Sequence, residues 1–562
     1  MVQNASASWS VYPRPQMKRE NYVNLNGWWD FTARDVEGLP VEYDQKIQVP
    51  FPPESPLSGV NQNIEPGKYL FYRRHFSAPV GSGRVLLHVG AADQIAYIYV
   101  NQKEMAVHEG GYTSFTVDIT DALQPENELV IRCVDDLRSC RLPYAKQSLK
   151  RGGMWYTPVS GIWQTVWMEQ VPSQHIRGLS LDVDLHQARL TVTPPLNGQV
   201  QFEGRKLPLV NGTATLIPEA PRTWSPEDPY LYEFTVEAGE DRVESYFALR
   251  TIETKLVDGI PRLCLNGKPY FFHGLLDQGY WPEGIYAPES PEAYARDILS
   301  MKSLGFNTLR KHIKVEPEEF YYQCDKLGMV VFQDMVNNGR YRFLRDTVLP
   351  TFVSKKRKDH RLHRDPASRK AFIDTMEETV LQLKNHPCIL YWTIFNEGWG
   401  QFEADRAYDR LRQLDNSRII DATSGWFWQN KTDVDSHHIY FGGWRKLKTK
   451  CRPLVLSEFG GFICPVPGRR FVEGKAYGYR LCADPAVFEK RLLELYRKRV
   501  LPGVSNGLCG AILTQLSDVE EEINGLVTYD RQVLKATSEA MAPLAKELQQ
   551  AMPASDSSLL NG

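Results

Sequence analysis

Ile389-Leu390-Tyr391-Trp392-Thr393-Ile394-Phe395-Asn396 is an eight-residue run, apolar almost throughout, that stops at Glu397-Gly398-Trp399-Gly400. Longer amphipathic stretches flank it, at 366–385 before and 402–414 after, so the run reads as a strand set between two helices. The same grammar recurs on both sides. Strand candidates fall at 270–275, 306–310, 329–334, 389–396, 418–423, 434–440, 453–458 and 510–515, with helical stretches at 291–304, 317–327, 366–385, 402–414 and 485–499 between most of them. Eight such units predict a closed (β/α)8 TIM barrel over 254–562, with a helix at 534–552 closing the last turn. The sixth unit is the least regular, because no clear helical stretch follows its strand.

Ahead of Thr254 the periodicity is two. Runs such as Val85-Leu86-Leu87-His88-Val89 and Ile95-Ala96-Tyr97-Ile98-Tyr99-Val100, broken by turn residues, predict an antiparallel β-sandwich over 1–172. A shorter β-region, 173–253, has strands such as Ala188-Arg189-Leu190-Thr191-Val192 and the size of an immunoglobulin-like β-sandwich. Three domains suit a chain of 562 residues.

The bulk numbers narrow the function by exclusion. With 66 basic and 68 acidic residues the formal charge is −2, so no overall field argues for nucleic acid or an anionic membrane. The start of the chain lacks the apolar run of a secretory signal, and no apolar stretch is long enough to span a bilayer, so a soluble cytoplasmic protein is expected. Nine cysteines without a C-x-x-C pair suggest neither a disulfide framework nor a zinc site, and no cofactor is implied. A homo-oligomer is compatible with the sequence.

Catalytic groups of such a barrel sit at the carboxyl ends of its strands. The fourth strand ends in Asn396-Glu397 and the seventh in Ser457-Glu458, which puts a glutamate at the rim from two strands that face one another across the mouth. Each alone reads equally well as a rim salt bridge. As a pair across one cavity they are what glycosidic cleavage requires: one carboxyl to protonate the leaving oxygen, the other to attack or to activate water.

These residues and their surroundings resemble glycoside hydrolase family 2, which holds β-galactosidases, β-glucuronidases and β-mannosidases. Asn24-Leu25-Asn26-Gly27-Trp28-Trp29-Asp30-Phe31, Tyr72-Arg73-Arg74-His75-Phe76 and Gly161-Ile162-Trp163-Gln164-Thr165-Val166-Trp167 are similar to the family's amino-terminal sugar-binding jelly roll. His386-Pro387, Trp392 and Asn396-Glu397 resemble its acid/base signature, and Ser457-Glu458-Phe459-Gly460 its nucleophile segment. The resemblance implies a retaining exo-β-glycosidase in which Glu458 is the nucleophile and Glu397 the general acid/base, with Glu397 keeping its proton to higher pH than Glu458. It further implies that Arg310 keeps Glu458 ionised, that Tyr440 hydrogen-bonds it, and that Asn396 binds the sugar 2-hydroxyl. A structural ion pair and a core tyrosine are the plainer readings of Arg310 and Tyr440.

The chain departs from the family's better-known members in several places. After the first strand it reads Leu275-Leu276-Asp277-Gln278, so the sugar contact there falls to Asp277. After Arg310 come Lys311-His312-Ile313-Lys314, in which His312 is either a ligand or a packed histidine. Gln515 opens a segment where classical members keep tryptophans, and the Asn-x-Lys pair of typical β-glucuronidases is missing near Asn524. Lys311, Lys314, Arg340 and Arg342 all follow strand ends, where a cation can bind a uronic acid carboxylate or simply face solvent. Trp281, Trp399, Trp426, Trp428 and Trp444 all fall in predicted βα loops, where an indole either stacks on a pyranose or packs the loop, and Trp426 is the one assigned to the sugar; His437 and His438, being adjacent on a strand, point to opposite faces, so at most one faces the pocket. No metal site is expected. The favoured substrates are β-galactosides or β-hexuronides such as galacturonides, followed by glucuronides and then mannosides. A catalytically silent carbohydrate-binding protein and a transglycosidase are the alternatives.

Overall fold

The computed structural model describes residues 9–342, 344–348, 358–442, 444, 447, 449 and 451–554. Eight parallel strands form the largest sheet: β1 (Phe272–Asp277), β2 (Thr308–Lys311), β3 (Val330–Asp334), β4 (Ile389–Asn396), β5 (Ile419–Ser424), β6 (Asp435–Ile439), β7 (Leu454–Gly460) and β8 (Leu508–Thr514). Their order is β5-β4-β3-β2-β1-β8-β7-β6, so the sheet curls into a barrel with seven hydrogen-bonded ladders. Between β5 and β6 the ring is held mostly by side chains instead. Asp433 Oδ2 accepts from the Ile420 amide at 2.7 Å, Ser436 Oγ donates to the Thr423 carbonyl at 3.5 Å, and Ser424 Oγ meets His438 Nε2 at 3.2 Å.

Strand boundaries lie within two residues of those expected, because each strand is an apolar run that a turn or cap interrupts. Every residue of β3, β4, β5, β7 and β8 is buried, as strands covered on both faces must be. Phe332 stacks on Tyr391 inside the ring with centroids 4.2 Å apart. Outside it pack the helices Glu292–Ser303, Glu318–Leu327, Pro366–Leu383, Ala404–Leu414, Pro485–Leu495 and Ser538–Gln550. Pro366–Leu383 starts where Asp365 accepts from the amides of Ala367 and Ser368, with proline at the first helical position. Among the described residues no α-helix stands between β6 and β7, and no helix is long and apolar enough to cross a membrane.

The amino-terminal unit packs a four-stranded antiparallel sheet against a six-stranded one, over a core that includes Trp29, Phe31, Tyr72, Leu87, Ile98 and Ile131. The next unit pairs sheets of three and four strands, and its strand Ala188–Thr193 alternates strictly between buried and exposed side chains. One excursion positions the site. The loop 135–160 leaves the first sandwich and lies over the barrel mouth, where the Tyr144 hydroxyl donates to the Gly339 carbonyl at 2.9 Å and Trp155 meets Trp399 edge-on at 4.8 Å.

Candidate active site

The mouth of the barrel holds a cavity whose wall includes Glu397, Glu458, Asn396, His312 and Tyr440, closed from above by Lys146 and Met154 of the crossing loop. Larger surface grooves exist, one of about 560 Å³ beside Phe202 and Tyr246, but it is lined mostly by the second sandwich and not by the strand ends of the barrel.

Glu458, near the end of β7, is almost wholly buried. Arg310 Nη1 donates to its Oε1 at 3.0 Å and the Tyr440 hydroxyl to its Oε2 at 2.6 Å, while His438 Nδ1 lies 3.5 Å from Oε2. Burial alone would push this carboxyl up. The charges of His438, Arg310 and His312 and the Tyr440 hydrogen bond outweigh it and hold Glu458 down to about 2. Arg310 is the permanent cation among them, and it is fixed by Asp334 Oδ1 at 3.0 Å and Asn396 Oδ1 at 2.8 Å.

Glu397 sits just past β4 with φ +53°, a left-handed backbone that is costly for a residue with a Cβ. Its amide donates to the Ser424 carbonyl at 2.9 Å, and its Oε1 lies 2.7 Å from His438 Nδ1. Gly398 follows at φ +70°, where a Cβ would stand 1.9 Å from Phe427 Cδ2, so only glycine continues the turn. The turn carries the Glu397 side chain up out of the strand, and it is more exposed than Glu458, at 23 % against 6 %. One donor atom from each of Glu397, His438 and Glu458 lies within 4.8 Å of the other two. A metal ion could use that spacing, but both oxygens of Glu458 are already engaged by a guanidinium and a phenol.

The other expected residues divide. His312 faces the cavity with Nδ1 held by Asp334 Oδ2 at 2.8 Å. Burial, with Lys146 adding to it, lowers His312 to about 4 against the pull of Asp334, so at neutral pH its Nε2 is an acceptor. His438 stands behind both glutamates with its side chain fully buried, while His437 packs on Trp428, as strand alternation requires. Asp277 and Lys314, expected at the sugar, are absent from the cavity wall. Lys311 Nζ reaches Asp277 at 2.6 Å and Glu316 at 2.8 Å, and Lys314 Nζ is spent on Glu316 and the carbonyls of Gly279 and Tyr286. Neighbouring Gln278 lines the cavity in place of Asp277, and Gln515 lies behind it, accepting from Gln278 at 2.9 Å. Trp426 packs 5.9 Å from the His438 ring rather than in the wall, and Trp399 is the tryptophan that lines it.

Lys146, Met154, Tyr341, Asp346, Tyr477, Tyr479, Thr514, Glu522 and Asn524 complete the lining. Buried Asn524 Oδ1 has no hydrogen-bond partner among the described residues, which leaves an acceptor at the wall for a polar ligand.

Two family models match the chain, the TIM-barrel domain of family 2 glycosyl hydrolases over residues 258–459 and the family 2 glycosyl hydrolase model over 180–250. A β-galactosidase of Thermoanaerobacter pseudethanolicus is 24% identical over 436 residues, covering 70% of this chain and 54% of that protein. The chain spans about half the length of the β-galactosidases it matches. Among solved structures, a β-D-glucuronidase of Dictyoglomus thermophilum superposes with a TM-score of 0.73 at 18% identity, covering 97% of this chain and 99% of that one. A β-galacturonidase of Eisenbergiella tayi bound to galacturonate gives 0.68 at 19% identity, covering 97% and 100%.

Proposed function

The chain belongs to glycoside hydrolase family 2, and from that premise we propose that it is a retaining exo-β-glycosidase in which Glu458 is the nucleophile and Glu397 the general acid/base. The observation that carries the reading is the approach of the two carboxyl groups, with oxygens within 4.8 Å in one cavity, against a separation of about 5 Å for double displacement and well over 6 Å for direct attack by water.

Glu458, kept anionic by Arg310 and Tyr440, attacks the anomeric carbon while Glu397 gives its proton to the departing oxygen. Glu397 then takes a proton from water, which attacks the glycosyl-enzyme and releases Glu458. Asn396 accepts from Arg310 through Oδ1, which leaves its amide NH2 as the donor for the 2-hydroxyl, where contacts tighten in the transition state. His438 holds Glu397 in register with the nucleophile. β-Galactosides and β-hexuronides such as galacturonides are the favoured substrates; the names of the relatives support that set. The reaction belongs in the cytoplasm, a placement supported by nine cysteines that are all unpaired.

Aryl β-glycosides of galactose, galacturonic acid, glucuronic acid, glucose and mannose, followed by NMR, test the proposal. The β-anomer of the freed sugar should appear first. First appearance of the α-anomer, or no turnover of any glycoside by the folded protein, would refute it.

A further inference from the structure

The cavity holds more charge than the double displacement uses. Each of its carboxylates has a partner: Glu458 has Arg310, Glu397 has His438, Glu522 takes hydrogen bonds from Tyr156 and Asn524, and Asp346 pairs with Arg345. The barrel cations are equally spoken for, since Lys311 and Lys314 serve Asp277 and Glu316, and Arg310 serves Asp334 and Glu458. Arg340 and Arg342 lie outside the wall and exposed.

Lys146 is the exception. It is only 8 % exposed, it is the one lysine or arginine in the cavity wall, and among the described residues its ammonium forms no ion pair; it lies 5.6 Å from the centre of the Tyr156 ring. A buried ammonium without an anion is costly to keep. The loop nonetheless fixes it firmly. Ala145 adopts φ +55°, the Lys146 carbonyl accepts from the Tyr156 amide at 3.0 Å, and the next side chain, Gln147, donates to Asp93 at 2.7 Å and accepts from the Val159 amide at 2.7 Å. A strained backbone and three anchors present one cation to the space beside both catalytic carboxyls.

We infer that Lys146 is the specificity-determining residue of the site and binds the carboxylate of a β-hexuronide, so that recognition of the sugar's acid group comes from the amino-terminal sandwich rather than from the barrel. This rests on the glycosidase reading given above. The cavity's other free groups, Asn524 Oδ1 and the acceptor nitrogen of His312, suit sugar hydroxyls, whereas Lys146 suits an anion.

The test compares kcat/KM for nitrophenyl β-hexuronides with kcat/KM for the matching neutral hexosides, in the native protein, Lys146→Met and Lys146→Arg. The native ratio should favour the hexuronide. Lys146→Met should lower that ratio about 10- to 100-fold, as loss of one charge-assisted hydrogen bond implies, and Lys146→Arg should restore much of it. A native preference for neutral sugars, or a ratio that Lys146→Met leaves within about threefold, overturns the assignment. Should no glycoside be turned over, the glycosidase reading fails, and calorimetry with free galacturonate and glucuronate against galactose and glucose decides the question for Lys146. Preferential binding of the acids that Lys146→Met removes upholds it, and equal binding refutes it.

Discussion

Replacing Tyr440 by phenylalanine removes one hydroxyl and keeps the ring that packs on Tyr479 at 4.7 Å, so the fold should survive. The lost bond is the 2.6 Å donation to Glu458 Oε2, a contact to a buried anion worth about 1.5–3 kcal/mol, which equals about one to two pH units on the carboxyl. Tyr440 favours the charged form, so its removal raises Glu458 from about 2 toward the range 3–4. The acid limb of kcat/KM should move up by the same amount. A second signature follows from microscopic reversibility. The carboxylate that attacks in the first step departs in the second, and without the hydroxyl it leaves more slowly. With a dinitrophenyl leaving group, kcat should fall about tenfold or more while kcat/KM falls less, KM should drop, and a burst of dinitrophenol should appear as the glycosyl-enzyme accumulates. Equal falls in kcat and kcat/KM, with no burst and an unmoved acid limb, would refute the role given to Tyr440.

Glu458→Gln should abolish turnover of every substrate, whereas Glu397→Gln should still release dinitrophenol in a single burst and regain turnover with added azide, which needs no proton removed; near-native rates in both variants would reject the assignment. Gly398→Ala forces a Cβ to within 1.9 Å of Phe427 at a left-handed φ, so stability should drop by about 2 kcal/mol or more and activity with it, and an unchanged melting temperature would contradict the packing described. His273, wedged between the Gly305 carbonyl and the Tyr496 hydroxyl, is lowered to about 4 by burial, with the Gly305 hydrogen bond opposing. Its contribution is complete above the unfolded value near 6.5 and is lost as pH falls through about 4, amounting to roughly 3 kcal/mol at most. His273→Asn should therefore flatten the decline in urea midpoint between pH 7 and 4, and a decline of native steepness would count against it.

The barrel strands and the two glutamates were legible because the same feature marks both: an apolar run that ends in a charge. Arg310 and Tyr440 became readable through family likeness, since a strand-end arginine looks the same whether it steers a nucleophile or ties two strands. Asp277 and Lys314 were misplaced for a physical reason. The segment 277–316 contains enough opposite charge to neutralise itself under the rim, and no spacing rule says which of Asp277, Lys311, Lys314 and Glu316 will pair. Lys146 left no periodic signal at all, lying in a loop about 250 residues before Glu397 in the chain. A charged residue amid the turn-rich stretch between two well-marked sandwich strands was the available hint.

The joint between β5 and β6 has a mechanical consequence. A ring with seven ladders and one bolted seam breathes at the seam, since widening it there sacrifices side-chain hydrogen bonds and spares the rungs elsewhere. The bolts nearest the rim, Ser424 and His438, also steady Glu397. Thermal loosening of the ring would therefore be felt first at His438, and through it at both carboxyl groups of the cavity, since His438 also lies 3.5 Å from Glu458.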